Sequence, residues 1–430
     1  MPSTTYSYDA GTNSYFVTGG CGDTTITIPD TYDDLTHGVL PVTKINASAF
    51  LSCTSLVTLI IGNNVTTIGA SAFQYCSNLT SVTFPSSSLT TIGSSAFWGS
   101  GLTSVAIPNS VTSMSDSIFV NCTNLASATL PINGTINYVP QGTFVNCTSL
   151  TSITIPSNYY IIFDDAFTVS GLQTVVLNEG LITIRTQAFY GCRSLRGTLT
   201  IPNTVANIHP RAFEKTGVVP STSNEFNVII GSRVTNLQSH CFYESYAKSF
   251  TFIPANFLTT IGPGVFYGCI YLTNLSIPNS VTTINPYSID PGGYAYTDAP
   301  FTGTTLNTLT IGDGFAIGNH ITFSQIFFGA NISNLILGKR ITVVQNDSFY
   351  QSGSTFRNNL KSITFEGKVS TLGAYTFSDA FTDGPSLYLN KLNEIFFNDL
   401  ADSINLGTYV FNFNITVYIK PKQNLRIFKK

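Results

Sequence analysis

Apolar and polar positions follow one skeleton that returns along the chain. Between Val65 and Pro85 the apolar places are Val65, Ile68, Ala72, Phe73, Cys76, Leu79, Val82 and Phe84, with small polar residues between them. The skeleton reappears as Val42, Ile45, Phe50, Cys53, Leu56 and Leu59, as Val111, Met114, Phe119, Cys122 and Leu125, and as Leu258, Ile261, Phe266, Cys269, Leu272 and Ile277. Its phenylalanines are Phe50, Phe73, Phe97, Phe119, Phe144, Phe167, Phe189 and Phe213, and on through Phe242, Phe266, Phe301, Phe328, Phe349, Phe377 and Phe411. The early spacings are 23, 24, 22, 25, 23, 22 and 24 residues. A fixed period of this size predicts a solenoid, because one such unit cannot bury its apolar side alone and must stack on its neighbours. An apolar residue also stands five places before the markers, from Ile45 and Ile68 to Leu372 and Leu406; the Phe301 unit departs, with Tyr296 there.

After each marker comes a short alternating run such as Leu79-Thr80-Ser81-Val82-Thr83-Phe84, closed by Pro85. Alternation rich in Val, Ile and Thr and ended by a proline that cannot donate to a ladder predicts a strand with one buried face. Val82 and Phe84 point in, and Ser81 and Thr83 point out. The fold class is therefore mainly β: about fifteen turns of 22–25 residues, longer near the C-terminus, share one parallel sheet. The piece before each marker has room for a second short strand or bend, and the Ala-Phe stretch for one helical turn. Tyr6 to Tyr8 and Tyr15 to Thr18 flank a turn-rich Asp9-Ala10-Gly11-Thr12-Asn13, which predicts a hairpin capping the first rung. The expected division is a cap and first strand over 1–38, a single solenoid over 39–419 and a basic tail over 420–430.

The unit Val-Thr-x-Ile-x-x-x-Ala-Phe-x-x-Cys-x-x-Leu-Thr-x-Val-x-Ile-Pro resembles the BspA-type leucine-rich repeats, from about residue 39 to 419. The resemblance implies a curved leucine-rich-repeat solenoid with roles in adhesion and protein recognition, as in surface proteins of bacteria and protists, and it implies no catalytic residues. Six of the eight cysteines stand three places after a marker, where such repeats turn a side chain inward. Small, buried, unpaired thiols are expected there. A bridge from Cys53 to Cys76 or from Cys122 to Cys147 is the alternative. Parallel stacking works against it, since it holds β-carbons farther apart than the ~3.8 Å such bonds prefer.

Composition sharpens the functional expectation. Charged residues make up 10% of the chain, and between Ile45 and Ile184 the only ones are Asp116, Asp164, Asp165 and Glu179. A neutral Thr, Ser and Asn surface gives little electrostatic steering and argues against a partner recognised chiefly by charge. The net charge of -3 argues against general nucleic-acid binding. Of nineteen Lys and Arg, thirteen lie after residue 215, ending in Lys420, Lys422, Arg426, Lys429 and Lys430. The first residues carry neither a basic nor an apolar leader pattern, and no run is long and apolar enough to span a membrane. The chain is thus expected in the cytoplasm or within a macromolecular particle, with the cell surface or secretion as the alternative.

Few residues break the repeat in a way that suggests chemistry. His37, His209, His240 and His320 are scattered, and the chain has no GxSxG, no phosphate loop and no HExxH. Asp33 with Asp34 and Asp164 with Asp165 read as turn carboxylates. No cofactor or metal is expected, and the ten Asn-x-Ser/Thr sequons carry meaning only in an exported protein. Binding residues are expected where insertions and aromatics interrupt the pattern: Tyr287, Tyr294 and Tyr296 around Gly292 and Gly293, outward Phe396 and Tyr418, and the basic Lys420, Lys422 and Arg426. The expected function is a non-catalytic interaction or structural scaffold, part of a larger assembly or binding a protein partner or a second copy of the chain. The alternative is a surface adhesin for matrix protein or glycan.

Overall fold

The computed structural model describes residues 4–221, 225–289, 295–316, 323–345, 360–373, 392, 394–406 and 416–419. The fold is a mainly-β parallel solenoid of about 13 turns. Phenylalanine marks fifteen, but Phe349, Phe377 and Phe411 lie outside the described residues. The chain forms two units, residues 1–205 with 215–218 and residues 206–214 with 219–430.

In the first unit the hairpin pairs Thr5–Asp9 antiparallel with Ser14–Gly19. Ser14–Gly19 then runs parallel to Val39–Ile45, which starts a narrow sheet continued by Thr67–Ile68, Thr91–Ile92 and Ser113–Met114. A wider sheet is built from the strands after the markers: Thr25–Ile28 pairs with Thr58–Ile61 and that with Ser81–Thr83, in register Thr25↔Thr58↔Ser81. Each turn thus contributes a strand to each of two parallel stacks, with the core between them; among the described residues the wide stack is interrupted between Ser81–Thr83 and Ser104–Ala106 and between Ser127–Thr129 and Ser152–Ile155.

The marker rings fill that core. Phe50, Phe73, Phe97, Phe119, Phe144, Phe167 and Phe189 are fully buried, and successive ring centroids lie 5.1, 5.3, 5.7, 5.6, 5.4 and 5.1 Å apart, all within 12° of parallel. A turn-to-turn backbone ladder sets this spacing: the N–H of Phe73 donates to Ala96 O at 2.8 Å and that of Phe167 to Ala188 O at 2.8 Å. Aromatic pairs in this range add about 0.5–1.5 kcal/mol beyond their buried area.

The Ala-Phe stretch does not add a helical turn. It is a corner in which residues four apart take the left-handed conformation, Ser71 and Tyr75 in one turn, Asp165 and Val169 in another. That geometry lets alternate N–H groups donate to the following turn instead of closing on their own. Val169, β-branched at φ 56°, is the most costly occupant; the equivalent places hold Gly99, Asn121, Asn146 and Gly191.

The cysteines need a correction. Cys21 and Cys53 form a disulfide, with Cα atoms 5.5 Å apart, whereas Cys76, Cys122, Cys147, Cys192, Cys241 and Cys269 are free and buried. A repeat cysteine points its thiol at the marker carbonyl of the preceding turn, Cys76 Sγ to Phe50 O at 3.1 Å and Cys147 Sγ to Phe119 O at 3.2 Å. Cys53 sits on the first marked turn and meets Cys21 instead. Ser100, Ser170, Thr216, Ser245 and Thr304 hold the same place elsewhere, so the column selects a small side chain with a donor.

In the second unit Phe213 stacks on Phe242 at 5.3 Å and Phe266 on Phe301 at 5.9 Å. Phe250 enters from the wide sheet and meets Phe242 and Phe266 edge-on, both at 4.9 Å. Beyond Phe301 the buried ring is Phe327, not Phe328, which is half-buried. The helix Phe323–Ile326 shifts the phase of the turn by one residue. The wide sheet continues through Asn274–Ile277, Thr305–Ile311, Asn331–Leu337, Ser362–Leu372, Glu394–Leu406 and Thr416–Ile419, all parallel.

Phe119→Ala is expected to cost about 3–5 kcal/mol in equilibrium urea unfolding; a cost under about 1 kcal/mol would mean that the ring is not packed on both sides. Val169→Asn should raise stability by about 1 kcal/mol in the same assay, by removing a β-branched residue from a left-handed site.

Candidate recognition surface

The outward face of the first unit's wide sheet is a field of small neutral side chains. Thr25, Ser81, Ser104, Ser127, Ser152 and Thr174 form one exposed column; Thr27, Thr83, Ala106, Thr129 and Thr154 form part of another. Ile60 and Val176 are its apolar members, 39% and 49% exposed. Beside these columns threonine hydroxyls are used internally. Thr103 Oγ1 donates to Thr80 O at 3.3 Å, and on the narrow sheet Thr66 Oγ1 donates to Thr43 O and Thr90 Oγ1 to Thr66 O, both at 3.1 Å. Part of the threonine enrichment thus holds turns together.

The face changes character along the second unit. Asn227 with Ser249 and Asn334 with Ser362 form side-chain rungs at 2.6 and 2.8 Å. Further along come Glu394, Phe396 and Asn398, whose Nδ2 donates to Glu366 at 2.7 Å. Phe396 is in register with Tyr418, and their rings stack at 4.6 Å and 8°. Tyr418 is 43% exposed and its hydroxyl donates to Glu394 at 3.4 Å. Two of the sequence-derived candidates are therefore brought together on one face.

The others are not. Tyr287 is half-buried in a hairpin of Tyr287–Ile289 with Ala295–Thr297, where Tyr296 faces Ser288 across the ladder. Tyr294, Lys420, Lys422 and Arg426 lie outside the described residues.

The ionisable groups are committed to local structure. His37 Nδ1 meets Asp34 at 2.8 Å, and backbone and side-chain hydrogen bonds from His37 hold the Asp34 carboxyl far below its ordinary range. His240 lies 3.5 Å from Asp298, with burial pulling its pKa down. Asp164 pairs with Arg185 at 3.2 Å and accepts the Thr186 N–H; Asp165 accepts from Thr168 Oγ1 at 3.0 Å. Among the described residues no group of three or more His, Cys, Asp or Glu is arranged to hold a metal. Burial pushes the thiols of Cys76, Cys192 and Cys269 up to about 12 and that of Cys122 up to about 11. Asparagines of the sequons serve the ladder too: Asn78 Nδ2 donates to Thr54 O at 2.7 Å and Asn64 Nδ2 to Asp30 O at 2.9 Å.

The repeat of marker ring, inward thiol and outward strand has a counterpart. The sequence profile of the BspA type leucine rich repeat region, six copies long, matches residues 43–170, 160–290, 297–384 and 320–427. The chain belongs to the BspA-type leucine-rich repeat family. Its fold is similar to that of a leucine-rich repeat protein from Bacteroides ovatus, with 20% identity, a TM-score of 0.51, and coverage of 92% of this chain and 93% of that one. It is also similar to the pneumococcal vaccine antigen PcpA, with 16% identity, a TM-score of 0.52, and coverage of 95% and 97%. At these identities the likeness shows the fold alone. No curated protein matches the sequence.

Within this BspA-type chain, two further features were not given by periodicity alone. One is the Cys21–Cys53 bridge, whose signal was that Cys53 has no marker carbonyl below it. The other is a widened turn after Phe252: six positions separate Phe252 from Leu258, against four from Ile277 to Val281. Among the described residues no helix is long and apolar enough to cross a membrane.

The thiol pKa values give a signed expectation. A thiol raised above its unfolded value of about 8.5 contributes stability that is present below that pH and lost as pH rises toward the folded value. The free energy of unfolding should therefore fall above about pH 8.5, by about 1.4 kcal/mol per pH unit for each buried thiol. A thiol reagent should find none of the six free cysteines in the native protein at pH 8 and all six in denaturant; fast native labelling would contradict the burial.

Proposed function

We propose that the protein is a non-catalytic recognition scaffold, placed at the cell surface or outside the cell, that binds a protein partner through the second unit's exposed sheet face around Phe396 and Tyr418. The observation that carries the reading is the stacked aromatic pair on a rigid parallel sheet, edged by Glu394 and Glu366. Aromatic rings on a scaffold that is already ordered give large contact area at low entropic cost. The family supports protein recognition in general. The Cys21–Cys53 disulfide supports the extracellular placement, since such bonds persist in oxidising compartments and are rare in the cytosol. The non-catalytic part is supported by buried, protonated thiols and by histidines engaged with single carboxylates.

In this reading residues 1–38 cap the solenoid of 39–419, and the tail of 420–430, with Lys420, Lys422 and Arg426, adds attraction for an acidic partner. The inserted Tyr287 hairpin, with Tyr294 and Tyr296, is a second contact.

A photoreactive phenylalanine analogue at position 418 should crosslink a saturable partner that the same analogue at position 83 does not. Once that partner is in hand, Phe396→Ala with Tyr418→Ala should weaken binding at least about thirtyfold. Equal capture from both positions, or unchanged affinity, would contradict the assignment. Protein isolated from its source with thiols blocked should carry the Cys21–Cys53 bond, and antibodies should label intact cells; free thiols at both positions in an intracellular protein would overturn the placement.

A further inference from the structure

A cavity of about 650 Å³ opens on the second unit, away from the aromatic pair. It lies between the ends of Ser249–Phe252 and Asn274–Ile277 and the turns that follow them. Two features coincide there. The turn after Phe252 is two residues longer than the one after Ile277, with Ala255 in the left-handed region at φ 59° to accommodate the excess. The ladder also breaks there: Ser249–Phe252 pairs with Phe226–Ile230 and Asn274–Ile277 with Thr305–Ile311, but among the described residues the two strands form no ladder with each other.

The walls divide by chemistry. Phe252, Pro254 and Pro278 supply apolar surface, with Phe252 half-buried where the matching Ile277 is closed off. Thr251 and Ser276 bring exposed hydroxyls to the mouth. Asn279 accepts the Asp313 N–H on Oδ1 at 2.9 Å, which orients its amide, and Asn256 is held by Ser280 Oγ at 2.5 Å and by the Leu258 N–H at 3.3 Å. Among the described residues no ionisable side chain lines the cavity.

That composition selects its occupant. An anion or cation would lose its hydration without meeting an opposite charge, and a purely apolar molecule would leave hydroxyl and amide groups unpaired. A neutral ring with one C–H face and a rim of hydroxyls satisfies both walls, and the volume lies in the range of about 300–1,000 Å³ usual for small-molecule sites. We propose that this cavity binds a single neutral sugar unit, its ring face against Phe252 and its hydroxyls on Thr251, Ser276 and Asn279. The site is independent of the Phe396–Tyr418 surface, so failure of one leaves the other untouched.

The test is titration calorimetry of the full chain with methyl glycosides of glucose, galactose, mannose and N-acetylglucosamine and with their β-linked disaccharides. At least one should bind saturably at one site. Phe252→Leu, which keeps an apolar side chain and removes the aromatic face, should weaken it about tenfold. Ser276→Lys, at an exposed position over the mouth, should abolish it. Thr154→Ala on the first unit's face should leave it unchanged. Thermal unfolding checks each variant, and Ser276→Lys decides the matter if Phe252→Leu folds poorly. No saturable heat at about 10 mM sugar, or binding that Ser276→Lys leaves intact, overturns the proposal.

Discussion

The stacking of one turn's phenylalanine on the next is the interaction on which the rest depends. A turn of about two dozen residues has too little apolar surface to fold alone, and its ring becomes buried on both sides only when neighbours supply the two faces. The spacing of those rings, 5.1 to 5.7 Å in the first unit, is a little wider than the separation of ladder-bonded strands. Backbone ladders and ring stack therefore agree in pitch, with little strain in either. The inward cysteine three places on completes the arrangement by donating to the marker carbonyl of the preceding turn, while Thr304 in the same place donates to the carbonyl of its own marker, Phe301.

This frame explains why the surface is so neutral. A stacked ladder places identical positions close above one another, so a charge repeated at one place would repel itself along the column. Thr, Ser and Asn avoid that and also donate to the turn below, as Thr66, Thr90 and Asn78 do. Charges and exposed aromatics then enter where the repeat is no longer regular. Glu394, Phe396 and Tyr418 stand on the outward face of the later strands, and the widened turn after Phe252 opens a cavity. Departures from the period are thus where the surface changes its chemistry.

Much of the fold was legible in the sequence because inward and outward positions alternate with little exception. The period placed Phe97 against Phe119, the alternation put Ser81 and Thr83 outside, and the tyrosine-flanked turn near Asn13 made a hairpin. What was not legible depends on relations between turns. Cys53 pairs with Cys21 because it lacks a preceding marked turn, a fact about the end of a stack rather than about any motif. Phe327 replaces Phe328 because a short helix shifts the phase. The left-handed corners are occupied by Ser, Tyr, Asp, Val and Lys as well as Gly, so composition gave no hint of them. On the candidate surface the stacking of Phe396 on Tyr418 required the register of their strands, which single-strand alternation does not supply.

The most direct test of the stacked seam is a double-mutant cycle in equilibrium unfolding. Phe97→Leu and Phe119→Leu, on adjacent turns, should couple by about 0.5–1.5 kcal/mol. Phe73→Leu and Phe167→Leu, on distant turns, should add to within about 0.5 kcal/mol. Equal coupling in both pairs, or none between Phe97 and Phe119, would contradict a core passed from each turn to the next.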